Sequence, residues 1–360
     1  MTIERKVGMG IAGQPSGGAT DVADVFSTYL YTGNSNYDAS TQSIDNGIDL
    51  ADEGGLVWLK DRSATDSHAL IDTINGATKR LSSNSTDASG DFSSYFSFPS
   101  SGTKGFNVLL HGMNLLGRDY ASWTFRKKSG FFDCVTWTGN GVSGREIAHG
   151  LNGPVGMMVV KKTSTTGVWN TYHKDLSASQ YNPTSEVQNL LLESTVAEGN
   201  YSCFGTHAQQ TDSVFKLANA SVGNLSGVSY VAYLFADNSA EDAEDQMIKC
   251  GSYTGTGADN NSISIGWEPQ FLLIKRADGI GNWVLHDVMR GISTPTAYDT
   301  PATAALLRAD LSGAELNAFT FGVTATGFNL RESNTNINAN GSTYIYMAIR
   351  APMMVEPEAA

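Results

Sequence analysis

Cysteine, histidine and charge are all scarce in this chain, and each shortage removes a class of protein. Three cysteines in 360 residues, Cys134, Cys203 and Cys250, are odd in number and too few for a disulfide framework, so folding in a reducing compartment is expected. Six histidines (His68, His111, His149, His173, His207 and His286) show no HxxxH or related spacing, and no metal site is expected from them. Basic residues number 23 against 36 acidic ones, a formal charge of −13, which speaks against a broad cationic surface for nucleic acid. No window approaches the roughly 20 apolar residues of a membrane-crossing helix, so no membrane insertion is expected. The opening MTIERKVGMGIAG carries Glu4 and lacks the apolar stretch of about 7 to 15 residues that a secretory leader needs.

What remains is turn-forming and strand-forming. Apolar residues make up 41% against 16% charged, Gly reaches 38, and Ser, Thr and Asn crowd the rest. Gly, Asn and Ser satisfy turn geometry while Val, Thr and aromatics suit pleated strands, so the fold class expected is all-β. The length suits two or three domains, since single cores seldom grow past about 250 residues.

The chain repeats itself. Tyr31-Thr32-Gly33 returns as Trp137-Thr138-Gly139 and as Tyr253-Thr254-Gly255. Each is followed by an apolar run ending in lysine: VWLK at Lys60, MVVK at Lys161 and LLIK at Lys275. Eight residues beyond each lysine stand His68, Trp169 and Trp283, and twelve beyond stand Asp72, His173 and Asp287. A third landmark is Phe106, Phe215 and Phe328, and a fourth is an aromatic strand: YASWTFR from Tyr120, YVAYLFA from Tyr230 and YIYMAIR from Tyr344. Four landmarks in one order, three times, define a repeat of the size of a sandwich domain.

The expected architecture is three tandem antiparallel β-sandwiches with few short helices: an N-terminal arm at 1–25, repeats at 26–130, 131–243 and 244–350, and a tail at 351–360. The repeats are expected to be beads with their own cores. Short helices are expected in SEVQNLLLES (185–194) and TPATAALLRADLSGAELN (300–317). The connector ADNSAEDAEDQMIKC, acidic from Asp237 to Asp245, is expected to be exposed and self-repelling.

The strings YTGN, GIDLADEGGLVWLKDRS, HALIDTINGATKRLSSNST and YASWTFRKKSGFFDCVTWTGNG resemble the repeat domain of uncharacterised structural proteins of tailed phages, marine ones especially, over residues 26 to 350. The resemblance implies a virion component with jelly-roll or concanavalin-like sandwiches, on the head surface or on a tail or fibre. Repeat two departs most, with His173 in place of the aspartate. Implied partners are other virion proteins, reached through the N-terminal arm or the first repeat, further copies of the chain, and a host-surface glycan.

The densest cluster of reactive side chains is LLIKRADGIGNWVLHD (272–287), and comparison within the chain argues against catalysis there. Arg276 corresponds to Asp61 and Lys162, and His286 to Ile71 and Tyr172, so these chemistries are not retained. Adjacent residues on a strand face opposite ways, which separates His286 from Asp287. No apolar-flanked carboxylate pair and no GxSxG elbow is present. GMGIAG (8–13) matches a dinucleotide fingerprint in letters but is followed by Pro15, Gly17 and Gly18 where a helix should begin. No enzyme and no cofactor are expected. Lys60, Lys161, Lys275, Asp72, His173 and Asp287 are read as repeat scaffold, and Trp169 and Trp283 as rings that could stack on a sugar if exposed. The alternatives to a structural role are a lectin-like adhesin and a polysaccharide depolymerase.

Overall fold

The computed structural model describes residues 21–36, 41–109, 112–178, 180, 182, 184, 186–242, 245–291 and 303–352. Nearly all of the N-terminal arm, including the GMGIAG stretch, and most of the C-terminal tail lie outside the described residues.

The chain is all-β, and twelve of its strands come in three corresponding sets of four. The first set is β1 (Phe26–Thr32), β2 (Gly55–Asp61), β3 (Ala69–Asp72) and β4 (Asp119–Arg126). The second is β5 (Phe132–Thr138), β6 (Val155–Lys162), β7 (Asn170–His173) and β8 (Ser229–Ala236). The third is β9 (Ile248–Thr254), β10 (Pro269–Arg276), β11 (Val284–Asp287) and β12 (Thr343–Arg350). Each set forms an antiparallel sheet with the closing strand second: β1-β4-β2-β3, β5-β8-β6-β7 and β9-β12-β10-β11. The registers correspond as well, pairing Tyr31 with Tyr120, Trp137 with Tyr230 and Tyr253 with Tyr344.

Burial on both faces explains why the central strands read as continuous apolar runs. In β2, Val57 and Leu59 turn to a core of the first repeat, completed by Ile44, Phe96, Phe106 and Val108 from a smaller sheet of Gln42–Ile44, Phe96–Ser97 and Phe106–Val108. Leu56 and Trp58 turn the other way, into a core that also holds Trp123 and Phe125, Met157, Trp169 and Tyr233, and Phe271, Trp283 and Met347. All three repeats therefore share one interior, and the expectation of separate beads is corrected. A sheet apolar on both faces must bury both, and here the inner faces bury one another.

At one end of this interior five phenylalanines from the three repeats meet. Phe26 lies 5.0 Å from Phe125 and 5.5 Å from Phe271, and Phe235 lies 5.3 Å from Phe125 and 5.1 Å from Phe132. Strands begin and end there, so both connectors between repeats lie at this end.

Two further expectations, the short helices at 185–194 and 300–317, are corrected. Residues 303–308 and 316–324 are strands (Thr303–Arg308 and Leu316–Thr324) that extend the third sheet, and Leu190–Leu191 extends the second. Their leucines were helix-compatible, but an open sheet edge with unpaired N–H and C=O groups recruited them. The one α-helix among the described residues is a single turn, Ala220–Gly223. The second connector is exposed at 239–242 and 245, as expected, and is pinned where it begins: Asp237 accepts from the Cys250 N–H at 3.1 Å, and Asn238 donates to the Gly130 carbonyl at 2.9 Å.

Candidate functional site

The residues retained by all three repeats converge on the seams where one repeat meets the next. After β3 of the first repeat an arm runs through 82–89; its counterparts are 191–198 and 308–315. The Ser89 N–H donates to the Thr163 carbonyl and the Thr86 carbonyl accepts from Gly167 N–H. One repeat further, Glu198 donates to Ala277 and Thr195 accepts from Gly281; then Glu315 donates to Arg62 and Ser312 accepts from Asp66. The third pair joins repeat three to repeat one, so the repeats close into a circle.

The lysines end the strands beneath these arms and are buried. Lys161 Nζ donates to Thr86 of the preceding repeat at 2.9 Å and to Gly167 at 2.7 Å; Lys275 Nζ reaches Thr195 at 3.3 Å and Arg276 at 2.6 Å. Lys60 stays within its own repeat, donating to Asp61 at 2.6 Å and Ala64 at 3.3 Å. Burial pushes all three ammonium groups down to about 8.

Eight residues on, the aromatic group clips each seam. Trp169 Nε1 donates to Ser82 and Ser85 of the preceding repeat at 3.0 and 2.9 Å, and Trp283 Nε1 donates to Leu191 at 2.9 Å. In repeat one the group is His68, whose Nδ1 accepts from Trp58 Nε1 at 2.8 Å. An indole N–H can only donate, so the His68 proton sits on Nε2 and is donated to the Arg308 carbonyl at 3.0 Å. Burial pushes this imidazole down to about 3.

Twelve residues on, a polar group reaches forward to the closing strand of the following repeat. Asp72 Oδ2 accepts from the Tyr233 hydroxyl at 2.7 Å, and Asp287 Oδ2 from Trp123 Nε1 at 2.9 Å. Trp123 and Tyr233 are each the fourth residue of the aromatic motif, and the third copy has Met347 there, which offers no donor. An aspartate facing Met347 would be a buried carboxylate without a side-chain donor on the closing strand. His173 stands in its place, with Nε2 donating to the Tyr346 carbonyl at 3.1 Å and Nδ1 accepting from Asp175 N–H at 3.2 Å. The departure of repeat two thus compensates a departure of repeat three.

The scaffold residues named from sequence are therefore brought together seam by seam. Trp169 and Trp283 are a correction: both are buried, at 0% and 1% exposure, and neither offers a face to a sugar. Their indole N–H groups need carbonyl partners in the interior, and the neighbouring arm supplies them. His286 and Asp287 face opposite ways, His286 stacking on Phe321 and Asp287 holding Trp123 and Arg290.

Sequence reading missed a fifth landmark. Asn114, Asn224 and Asn338 are buried six residues before each closing tyrosine, with Gly117, Gly227 and Gly341 between them in the left-handed region at φ 75°, 76° and 74°. The Asn224 amide donates to Asn140 and Val142 and its oxygen accepts from Asn140 N–H; Asn338 makes equivalent bonds to Ala258 and Thr256. The closing tyrosine hydroxyls accept from Leu115, Leu225 and Ala339 N–H. The constant spacing Asn-x-x-Gly-x-x-Tyr was present in all three copies.

An open groove of about 620 Å³ borders the first connector, lined by Lys127, Lys128, Asp133, Phe132 and His149 among others. Of its two carboxylates, Asp133 accepts from Gly150 N–H at 2.6 Å and pairs with Lys127 at 2.9 Å, and Glu53 lies 3.9 Å from Arg126. A family described as a domain of unknown function (DUF7483) matches residues 21–352. The chain belongs to this family. The match spans all twelve strands of the three sets, so the unit that the family describes is the whole circle of three repeats. No curated protein and no solved structure matches the chain.

Proposed function

We propose that this DUF7483 chain is a non-enzymatic structural protein of a phage particle, carried on its exterior as a head decoration or as a tail or fibre appendage. Its repeats, 26–130, 131–243 and 244–350, are read as β-sandwiches of jelly-roll or concanavalin type. The observation that carries this reading is the use made of the retained residues. Every clip residue and forward-reaching residue, and two of the three lysines, Lys161 and Lys275, are spent on joining repeats, which is what a protein selected for rigidity requires. The resemblance of YTGN, GIDLADEGGLVWLKDRS and YASWTFR to phage structural repeats supplies the setting.

The described chain enters next to β1 and leaves after β12 at the phenylalanine end of the interior, while the three Tyr/Trp-Thr-Gly loops stand at the other end. That polarity suits attachment through the arm or the first repeat and presentation of the opposite end. Further copies of the chain and a host-surface glycan remain proposed partners, with Trp169 and Trp283 no longer the groups that would hold the glycan. Mass spectrometry of purified particles from an infected host is the test. Recovery of peptides from this chain at a stoichiometry near other exterior proteins is expected, and their absence from intact particles overturns the reading.

A further inference from the structure

Each of the three seams is fastened by one clip residue and one forward-reaching residue, and the imidazoles are unevenly shared among them. The seam between repeats one and two has Trp169 and Asp72. The seam between two and three has Trp283 and His173, and that between three and one has His68 and Asp287. Both histidines therefore fasten repeat three. His149 stands beside the first connector but bonds within repeat two, to Thr211 and Leu151.

We infer that the two seams bounding repeat three form an acid-labile latch: protonation of His68 and His173 uncouples repeat three from the circle while repeats one and two stay joined. The argument is one of hydrogen bonding. Both rings are buried, and both accept an N–H at Nδ1, from the Trp58 indole in one case and the Asp175 backbone in the other. An imidazolium has two donors and no acceptor, so it keeps the Nε2 bond across the seam but sets its Nδ1 proton against an N–H of its own repeat in a site closed to water, a conflict relieved when the seam opens and water reaches the ring.

The charges nearby favour release at His68. The positive charges of Lys60 and Arg290 bear on the ring, and Arg80 Nη2 donates to the His68 backbone carbonyl at 3.4 Å. The Arg62–Glu315–Arg290–Asp287 chain of ion pairs crosses the same seam. Around His173 stand Lys174 and Asp175 beside it, Asp237 from the connector, and Tyr346 and Cys250 from repeat three. Burial holds His173 down to about 4 and His68 to about 3, from an ordinary 6.5. The opened state takes up the proton first, so closure weakens by up to about tenfold per imidazole for each pH unit below 6.5, until the depressed value is reached.

The chain carries its own reporters. Cys250 lies in the seam of repeats two and three, its Sγ 2.7 Å from where a Cβ on Gly156 would stand. Cys134 lies in the seam of repeats one and two, close enough to Asp72 to feel its charge. Cys203 is buried beside Gly223, within repeat two. The full chain is pulsed with 4,4′-dithiodipyridine, which reacts with thiols in acid, and labelling is read cysteine by cysteine by peptide mass spectrometry. Between pH 7.5 and about 4.5, labelling of Cys250 is expected to outrun that of Cys134 and Cys203 by roughly tenfold or more. Glutamine can accept and donate as neutral imidazole does but cannot charge, so His68→Gln/His173→Gln is expected to keep Cys250 protected. Simultaneous exposure of all three cysteines, no acceleration at Cys250, or an unchanged acid response in the double variant overturns the latch. The order of labelling in the native chain decides the case even if the double variant does not fold.

Discussion

At the scale of single residues, the seams set a rule of complementarity between the forward-reaching residue and the closing strand it meets. Aspartate works where it meets Tyr233 or Trp123, and His173 works because Met347 donates nothing. His173→Asp should therefore leave a buried carboxylate unpaired and cost about 3–5 kcal/mol of stability, whereas the same change combined with Met347→Tyr should recover part of that loss. Denaturant titration of the two single variants and the double variant gives the coupling directly, and additive losses would refute the rule. The lysines predict a second pH dependence, of the same sign as that of the buried imidazoles but at higher pH. With folded values near 8 against 10.5 for an ordinary lysine, the unfolded chain binds more protons across that interval, so stability rises with pH from 8 toward 10. Above 10 the buried Tyr31, Tyr233 and Tyr253, whose hydroxyls are held well above their usual value, reverse the trend as the unfolded tyrosines ionise first. Melting temperature measured across this range should pass through a maximum near 10, and Lys275→Met should flatten the rising limb. Retained positions such as Lys60 and Asp72 were legible in the sequence as scaffold. Their partners were not, because Tyr233 lies 161 residues from Asp72 and nothing local records that contact.

At the scale of elements, the Tyr/Trp-Thr-Gly motif and the Asn-x-x-Gly-x-x-Tyr motif prove to be two halves of one joint. The aromatic residue of the first stacks on the tyrosine of the second, at 5.0 Å for Tyr31 on Tyr120 and 5.1 Å for Trp137 on Tyr230 and Tyr253 on Tyr344. The glycine is there because the backbone of the loop before the closing strand leaves no room. A Cβ on Gly33, Gly139 or Gly255 would stand 2.1 to 2.2 Å from the carbonyl oxygen of Leu115, Leu225 or Ala339. Gly139→Ala should thus cost about 1–3 kcal/mol or more, since a backbone carbonyl cannot swing aside as a side chain can. A control alanine at Gly227, which has φ 76° but open space around it, should show only the smaller cost of a left-handed backbone. Thermal melts of the two variants separate the effects; equal losses would place the constraint in the dihedral angle. Strand runs were readable from composition and turn residues, whereas 303–308 was not, because a leucine-rich segment takes its structure from the edge it finds.

At the scale of the whole molecule, shared burial changes what the repeats can do alone. Trp58, Trp123, Trp169 and Trp283 all contribute to the common interior, and exposing one repeat would strip apolar cover from the other two. At neutral pH the chain should therefore unfold in one calorimetric transition, with calorimetric and van't Hoff enthalpies in agreement; three resolved peaks would restore the picture of independent beads. Sequence periodicity announced three copies but was silent about their closure, because the bonds from 308–315 back to Arg62 and Asp66 join segments at opposite ends of the chain. Closure has one more consequence. In a closed circle no repeat is first: the step from Arg126 to Phe132 and the step from Ala236 to Ile248 are two instances of a junction whose third instance, from Arg350 round to Phe26, the polypeptide merely leaves unjoined. A circular permutant that bridges this gap with a short polar linker and opens the chain within the connector at 239–245 should fold to the same circle, with repeat three now preceding repeat one.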